Sequence, residues 1–271
     1  MKYLVVMSWP AGMGVVVLIA LVLTRRPESP AAPRRWAGRP SAASAGPASR
    51  LPDPVRLIGI TLVGWIAAVA VMLALGAAWV VHDGSDVDRP VYAFAVHHRV
   101  VDWTLATTQL TKIADLPESL LVAVLAAVWL ALGWDRRRWV PPVILATIVV
   151  ADHFLTAAIR GVFERVGPPN SPGGAYPSGG CERAVLYFGL IAYLFLHEAG
   201  WCRRRRIWVG AAVAAVALNE VYTRTYLTLH WFTDALSGSV YGALVLMAVI
   251  VAVRTVIGPA RSTSPASRIP I

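Results

Sequence analysis

Arg224, His230 and Asp234 stand six and four residues apart, between two long apolar runs. Charge is expensive to keep in such a setting, so ionisable groups found there are read first as candidates for function. If the residues after Leu229 are helical, His230 and Asp234 share a face. The carboxylate then accepts a bond from one imidazole nitrogen and leaves the other free. A histidine held that way can attack phosphorus, and the fixed fork of donors on Arg224 can hold a phosphate in front of the ring. The alternative is a satisfied His-Asp pair at a helix start, with no chemistry.

A second cluster lies upstream. Arg160, Glu164 and Arg165 precede Gly167-Pro168-Pro169, and Tyr176-Pro177-Ser178-Gly179-Gly180-Cys181-Glu182-Arg183 follows. Ser178, Gly179 and Gly180 come just before an apolar span beginning near Arg183, so their amides and the helix dipole form a cradle for a phosphate or an oxyanion. Glycine there lets the backbone approach closely. Read alone, the same four residues also describe an ordinary turn. Three further ionisable residues, Asp152, His153 and Glu220, fall inside apolar spans. Glu220 is placed to pair with Arg224 four residues on. His153 shares a helical face with Arg160 and either points toward the same site or packs as a polar residue within the bundle.

In this order the clusters resemble the type 2 phosphatidic acid phosphatase (PAP2) superfamily, membrane and soluble enzymes that share the helical core of the vanadium haloperoxidases. The resemblance covers roughly residues 55–253. Its third signature, Ser-Arg, five residues, His, three residues, Asp, is matched by Thr223-Arg224, His230 and Asp234, with threonine for serine. The resemblance implies a phosphohistidine on His230, an orienting role for Asp234 and a phosphate contact from Arg224. Of the second signature, Pro-Ser-Gly-His, Pro177, Ser178 and Gly179 are present, but Gly180 stands where the family has its general acid. Of the first, Lys, six residues, Arg-Pro, Arg160 replaces the lysine, Pro168 is kept and Gly167 replaces the arginine. Arg165 or Arg183 would then restore the lost phosphate contact, and Glu182, His153 or Cys181 would supply a substitute acid. Without one, expulsion of an alkoxide loses general acid help worth about 10²- to 10⁴-fold, whereas a phosphate leaving group needs little protonation. Lipid diphosphates are therefore expected to be turned over better than monoesters, and Gly180→His is expected to help monoesters most. No cofactor and no metal is implied, since the adjacent His97 and His98 are the nearest approach to ligand spacing.

The elements that must position these groups are membrane helices. The chain of 271 residues is 57% hydrophobic and 15% charged, with a mean hydropathy of +0.60, too apolar for an ordinary soluble domain. Its formal net charge of +10 does not point to nucleic acid, because the arginines stand in blocks between apolar spans and report topology. Spans are expected at 3–24, 55–81, 118–134, 139–159, 183–201, 207–222 and 233–253. The fold expected is an all-α polytopic membrane bundle: a PAP2-like six-helix core over 55–257 preceded by an extra transmembrane helix at 1–24. A Pro, Ala and Arg-rich linker without a packed core joins them over 25–54, and a polar tail follows from 258 to 271. Alternate threading puts Arg136 to Arg138, Arg203 to Arg206 and the linker on the cytoplasmic side, and every reactive candidate on the outer side of a bacterial plasma membrane. Residues 90–114 suit an interfacial helix carrying His97 and His98. Cys181 and Cys202, at either end of one span and roughly 30 Å apart, are too distant for a disulfide. The partner implied is a membrane lipid with one or two phosphates, a polyprenyl lipid among them. The second reading is a protein of the same fold that binds or transports an anionic lipid without catalysis.

Overall fold

The structure is a computed structural model and describes residues 54–81, 85–133, 140–169, 171, 176–199 and 202–257. The expected first span, the linker and the tail lie outside the described residues. All regular structure within them is helical: α1 (Pro54–Gly76), which continues as a π turn (Ala77–Val81), α2 (Ser85–His97), α3 (Val101–Leu110) with a 3-10 turn (Thr111–Ala114), α4 (Leu116–Gly133), α5 (Val140–Phe163), α6 (Gly179–Ala199), α7 (Arg203–Tyr226) and α8 (Phe232–Ile257). Helices are the answer a lipid solvent demands, because each closes its own backbone hydrogen bonds.

The segments Leu62–Trp79, Pro142–Phe163, Gly179–Leu196 and Phe232–Arg254 are each long and apolar enough to cross a membrane, and the pair Val101–Ala114 with Leu116–Leu132 qualifies as one unit bent by 48°. The protein is an integral membrane protein. A helix also covers the expected span at 207–222, but α7 falls outside that set: it opens on Arg203 to Arg206 and closes on Glu220 and Arg224. Leu62, Val63, Val124, Leu132, Val150, Phe154, Leu218 and Met247 lie on the outside of the bundle, where soluble proteins bury such residues. The expected interfacial helix is two, α2 and α3. His97 and His98 end the first, exposed, with the His98 ring 4.0 Å from that of Phe94. Cys181 is buried and Cys202 exposed, both as free thiols.

The core runs along α6 and α8, where Leu186, Leu190 and Leu194 meet Tyr241, Val245 and Val249, with Met72 of α1 and Leu145 and Ile148 of α5 around them. Two glycines one turn apart, Gly238 and Gly242, bring α8 against the start of α6. A Cβ at Gly238 would lie 2.3 Å from the Ser178 carbonyl oxygen, and one at Gly242 would lie 2.6 Å from that of Glu182. This is the small-xxx-small device by which membrane helices approach without a hydrophobic drive between them. Its result is chemical, since it seats the Ser178-Gly179-Gly180 turn directly on the first turns of the helix that carries Asp234.

Candidate active site

Four helix ends meet at the site: the C-termini of α5 and α7 and the N-termini of α6 and α8. The Ser178 amide donates to the Asp234 carbonyl at 3.1 Å, which joins the start of α6 to the start of α8. Tyr176 anchors the preceding turn, its hydroxyl donating to the Met72 carbonyl at 2.7 Å. Burial pushes that phenol up to about 12, so it stays a neutral donor through the physiological range.

Around the first turn of α6 stand three guanidinium groups. A Cβ at Gly179 would lie 2.8 Å from Arg160 Nη2 and 2.9 Å from Arg183 Nη1, and one at Gly180 would lie 2.3 Å from Arg224 Cζ and Nε. Only glycine leaves room for this arrangement. Arg160 donates to the Pro177 carbonyl at 3.2 Å and keeps its Nε buried without a hydrogen-bond acceptor. Arg183 donates to the Ala114 carbonyl at 3.0 Å. The buried Arg224 is held by Glu220 at 3.0 Å, by the Thr111 carbonyl at 3.4 Å and by the carboxylate of Asp115. Three positive side chains over the amides of a helix N-terminus are an arrangement suited to an anion, since dipole and guanidinium charge act in the same direction.

The structure shows what occupies the space beside Gly180. The volume that a side chain at 180 would need holds the Arg224 guanidinium. The expectation that Gly180→His assists monoester turnover is revised accordingly, because the new ring would have to expel an arginine pinned by two carboxylates. Gly180→His is expected to destabilise the protein by about 1–3 kcal/mol, the range for overpacking. It should lower phosphate release from monoesters and diphosphates alike, measured by detergent melting and a phosphate assay.

The condition that the residues directly after Leu229 be helical is not met. Helix α8 begins at Phe232, and His230 belongs to the turn before it, with its amide donating to the Arg224 carbonyl at 3.4 Å. Thr228, with φ of 54°, makes the left-handed step of that turn, and Arg99 steadies its hydroxyl at 2.8 Å. Asp234 occupies the third position of α8 and accepts from the Trp231 amide at 3.1 Å, the reciprocal half of a capping box. Its other oxygen takes Arg165. Arg165 also binds Asp88 at 2.7 Å, and Asp88 in turn accepts from the Thr233 amide at 3.0 Å and its hydroxyl at 2.7 Å. Asp88 lies in the first turn of α2 and caps α8 from there.

The residues singled out in the sequence thus divide. Arg160, Arg183 and Arg224 gather at Gly179 and Gly180, with His230 tied to Arg224 through the backbone. Arg165 is not in that group; it is committed to Asp234 and Asp88. It lines a neighbouring cavity of about 630 Å³ together with Trp79, Arg89, Phe163, Gly167 and Trp231. His153 faces outward beside Phe154, because Asp152 and Thr156 take the inward face of α5 and His153 is turned about 100° from Asp152. Arg160 reaches the site by extending past the helix end. Glu182 is fully buried and both its oxygens accept from Thr156, at 2.9 and 2.8 Å, while Tyr187 donates to Asp152 at 2.9 Å. Asp88 and Asp115 were not anticipated. Their partners are 77 and 109 residues away along the chain, and no local spacing points to them.

No family model matches the chain. Phosphatidylglycerophosphatase B of Bacillus subtilis (strain 168) is 23% identical over 136 residues, which are 48% of this chain and 66% of that protein. The match therefore spans just under two thirds of that relative. The crystal structure of a transmembrane PAP2 type phosphatidylglycerolphosphate phosphatase from Bacillus subtilis superposes with a TM-score of 0.62 at 21% identity, covering 69% of this chain and 94% of that one. The structural likeness establishes the architecture: this chain has the fold of a transmembrane PAP2-type phosphatase.

Proposed function

We propose that the protein is a membrane lipid phosphatase or phosphotransferase that uses His230 as its nucleophile. The observation that carries this reading is the gathering of Arg160, Arg183 and Arg224 around the glycine start of α6, with the His230 turn fastened to Arg224. The imidazole attacks the phosphorus of a lipid phosphate or diphosphate, the bond to the leaving oxygen breaks, and water or a second acceptor then takes the phosphoryl group from the ring. The guanidinium groups and the α6 amides stabilise the charge that accumulates on the phosphoryl oxygens. Asp234, fixed by Arg165 and the Trp231 amide, holds the entry to α8. With no side chain at 180 and Glu182 turned to Thr156, the leaving group departs with little protonation, which favours diphosphates, a polyprenyl diphosphate among them. By the arginine asymmetry the site faces outward from a bacterial plasma membrane.

The test is phosphate release by purified protein from a panel of lipid mono- and diphosphates. His230→Ala is expected to lower it about 10³-fold or more, as removal of a nucleophile does. Unchanged release in that variant would sink the enzyme reading. The second reading, a non-catalytic binder of anionic lipid, draws on the double neutralisation of Arg224 by Glu220 and Asp115. It requires lipid phosphate to bind without release in both proteins.

A further inference from the structure

The 3-10 turn Thr111–Ala114 and Asp115 accept hydrogen bonds from two members of the guanidinium cluster. Arg183 gives a bond to Ala114 O, and Arg224 gives bonds to Thr111 O and to the Asp115 carboxylate. The two acids on Arg224 are not equivalent. Glu220 shares α7 with the arginine, has a side chain 0% exposed and also accepts from Thr111 Oγ1 at 3.2 Å, so it is a fixed counter-charge. Asp115 has a side chain 40% exposed. It stands at the junction of the 3-10 turn and α4, where the two helical segments bend by 48°. One partner of Arg224 is fully buried and the other reaches solvent.

We propose that Asp115 is the resident anion of the phosphate subsite and selects for substrates whose phosphate group is a dianion. This rests on reading the Arg160, Arg183 and Arg224 cluster as that subsite. Exchanging one carboxylate for a monoanion, such as a phosphodiester, leaves the charge beside Arg224 unchanged and places the released Asp115 close to the newcomer, so the exchange has no electrostatic drive. A terminal phosphate brings two charges and three oxygens, enough to engage Arg160 and Arg183 as well, and it displaces Asp115. Selection thus works by a built-in competitor, a repulsive element as much as an attractive one.

The experiment measures binding of inorganic phosphate and of dimethyl phosphate to the full chain in detergent, by calorimetry, for wild type, Asp115→Asn, Asp115→Glu and Arg224→Ala. Wild type is expected to bind phosphate and reject the diester. Asp115→Asn should tighten phosphate about two- to fivefold, the scale of one partly exposed charge pair, and bring the diester into the measurable range. Asp115→Glu, which keeps the charge, should behave as wild type. If Asp115→Asn does not fold, Asp115→Ser carries the same expectation, since it keeps an N-cap oxygen for α4 and removes the charge. Phosphate binding that is unchanged or weaker in the neutral variants, yet lost in Arg224→Ala, overturns the role of Asp115 and leaves the phosphate site standing. Binding that survives Arg224→Ala overturns both.

Discussion

Gly238→Ala is expected to lower phosphate release about 10²-fold and to destabilise the protein by about 1–3 kcal/mol, although residue 238 contributes no functional group. The new methyl would lie 2.3 Å from the Ser178 carbonyl oxygen and 3.3 Å from its amide nitrogen. What it meets is backbone, so no rotamer change relieves the contact and α8 must move away from the start of α6. That movement separates Asp234 and the His230 turn from the arginine-lined glycines, and displacements near 1 Å suffice to cost rate on this scale. Gly210→Ala is the control, because a Cβ there meets nothing within 4 Å and alanine is the better helix former. Melting in detergent and a phosphate-release assay check both halves; equal behaviour of the two variants would remove the argument that close approach of α6 and α8 builds the site.

Arg165→Met is expected to produce the largest loss of stability. The guanidinium is shared by Asp88 and Asp234, whose side chains are 2% and 0% exposed. Deleting one member of such a buried ionic group strands the others and is worth about 3–5 kcal/mol. Arg165→Lys should recover only part of this, since a point charge cannot span two carboxylates as a planar fork does. Adding Asp88→Asn to Arg165→Met should return some of the loss by removing one stranded charge. A shift in the unfolding midpoint below about 1 kcal/mol for Arg165→Met would show that water or another group already screens the pair.

Much of the helical order was legible because the apolar runs are long and the arginine blocks interrupt them. The spacing of Arg224, His230 and Asp234 and the Glu220–Arg224 pair could be read locally for the same reason: they lie within one or two turns of sequence. The start of α8 was read within one residue, at 233, but a helix from Leu229 fits the same letters, and it is the capping box pairing Asp234 with the Trp231 amide that decides between them. Asp88 and Asp115 carry no local signal, and only the packing of α2 and of the 3-10 turn against the helices around them reveals what they bind. Gly238 and Gly242 could have been found from their spacing alone, in an apolar run where two small residues one turn apart mark a close helix contact. The reach of Arg165 depends on where the chain turns after α5, which no periodicity encodes.

The clamp around Arg165 has an implication for how the protein is made. Asp88 is synthesised first, Arg165 second and Asp234 last, so the ribosome delivers the three members in the order acid, base, acid. An acid that can pair with Arg165 has therefore already been synthesised when α5 is complete, and the second acid comes with the last helix. The Asp88–Arg165 pair presents a carboxylate for the Thr233 amide and a guanidinium for Asp234. The three-member ionic group, and with it the seat of Asp234, can therefore be completed only when α8 has been added.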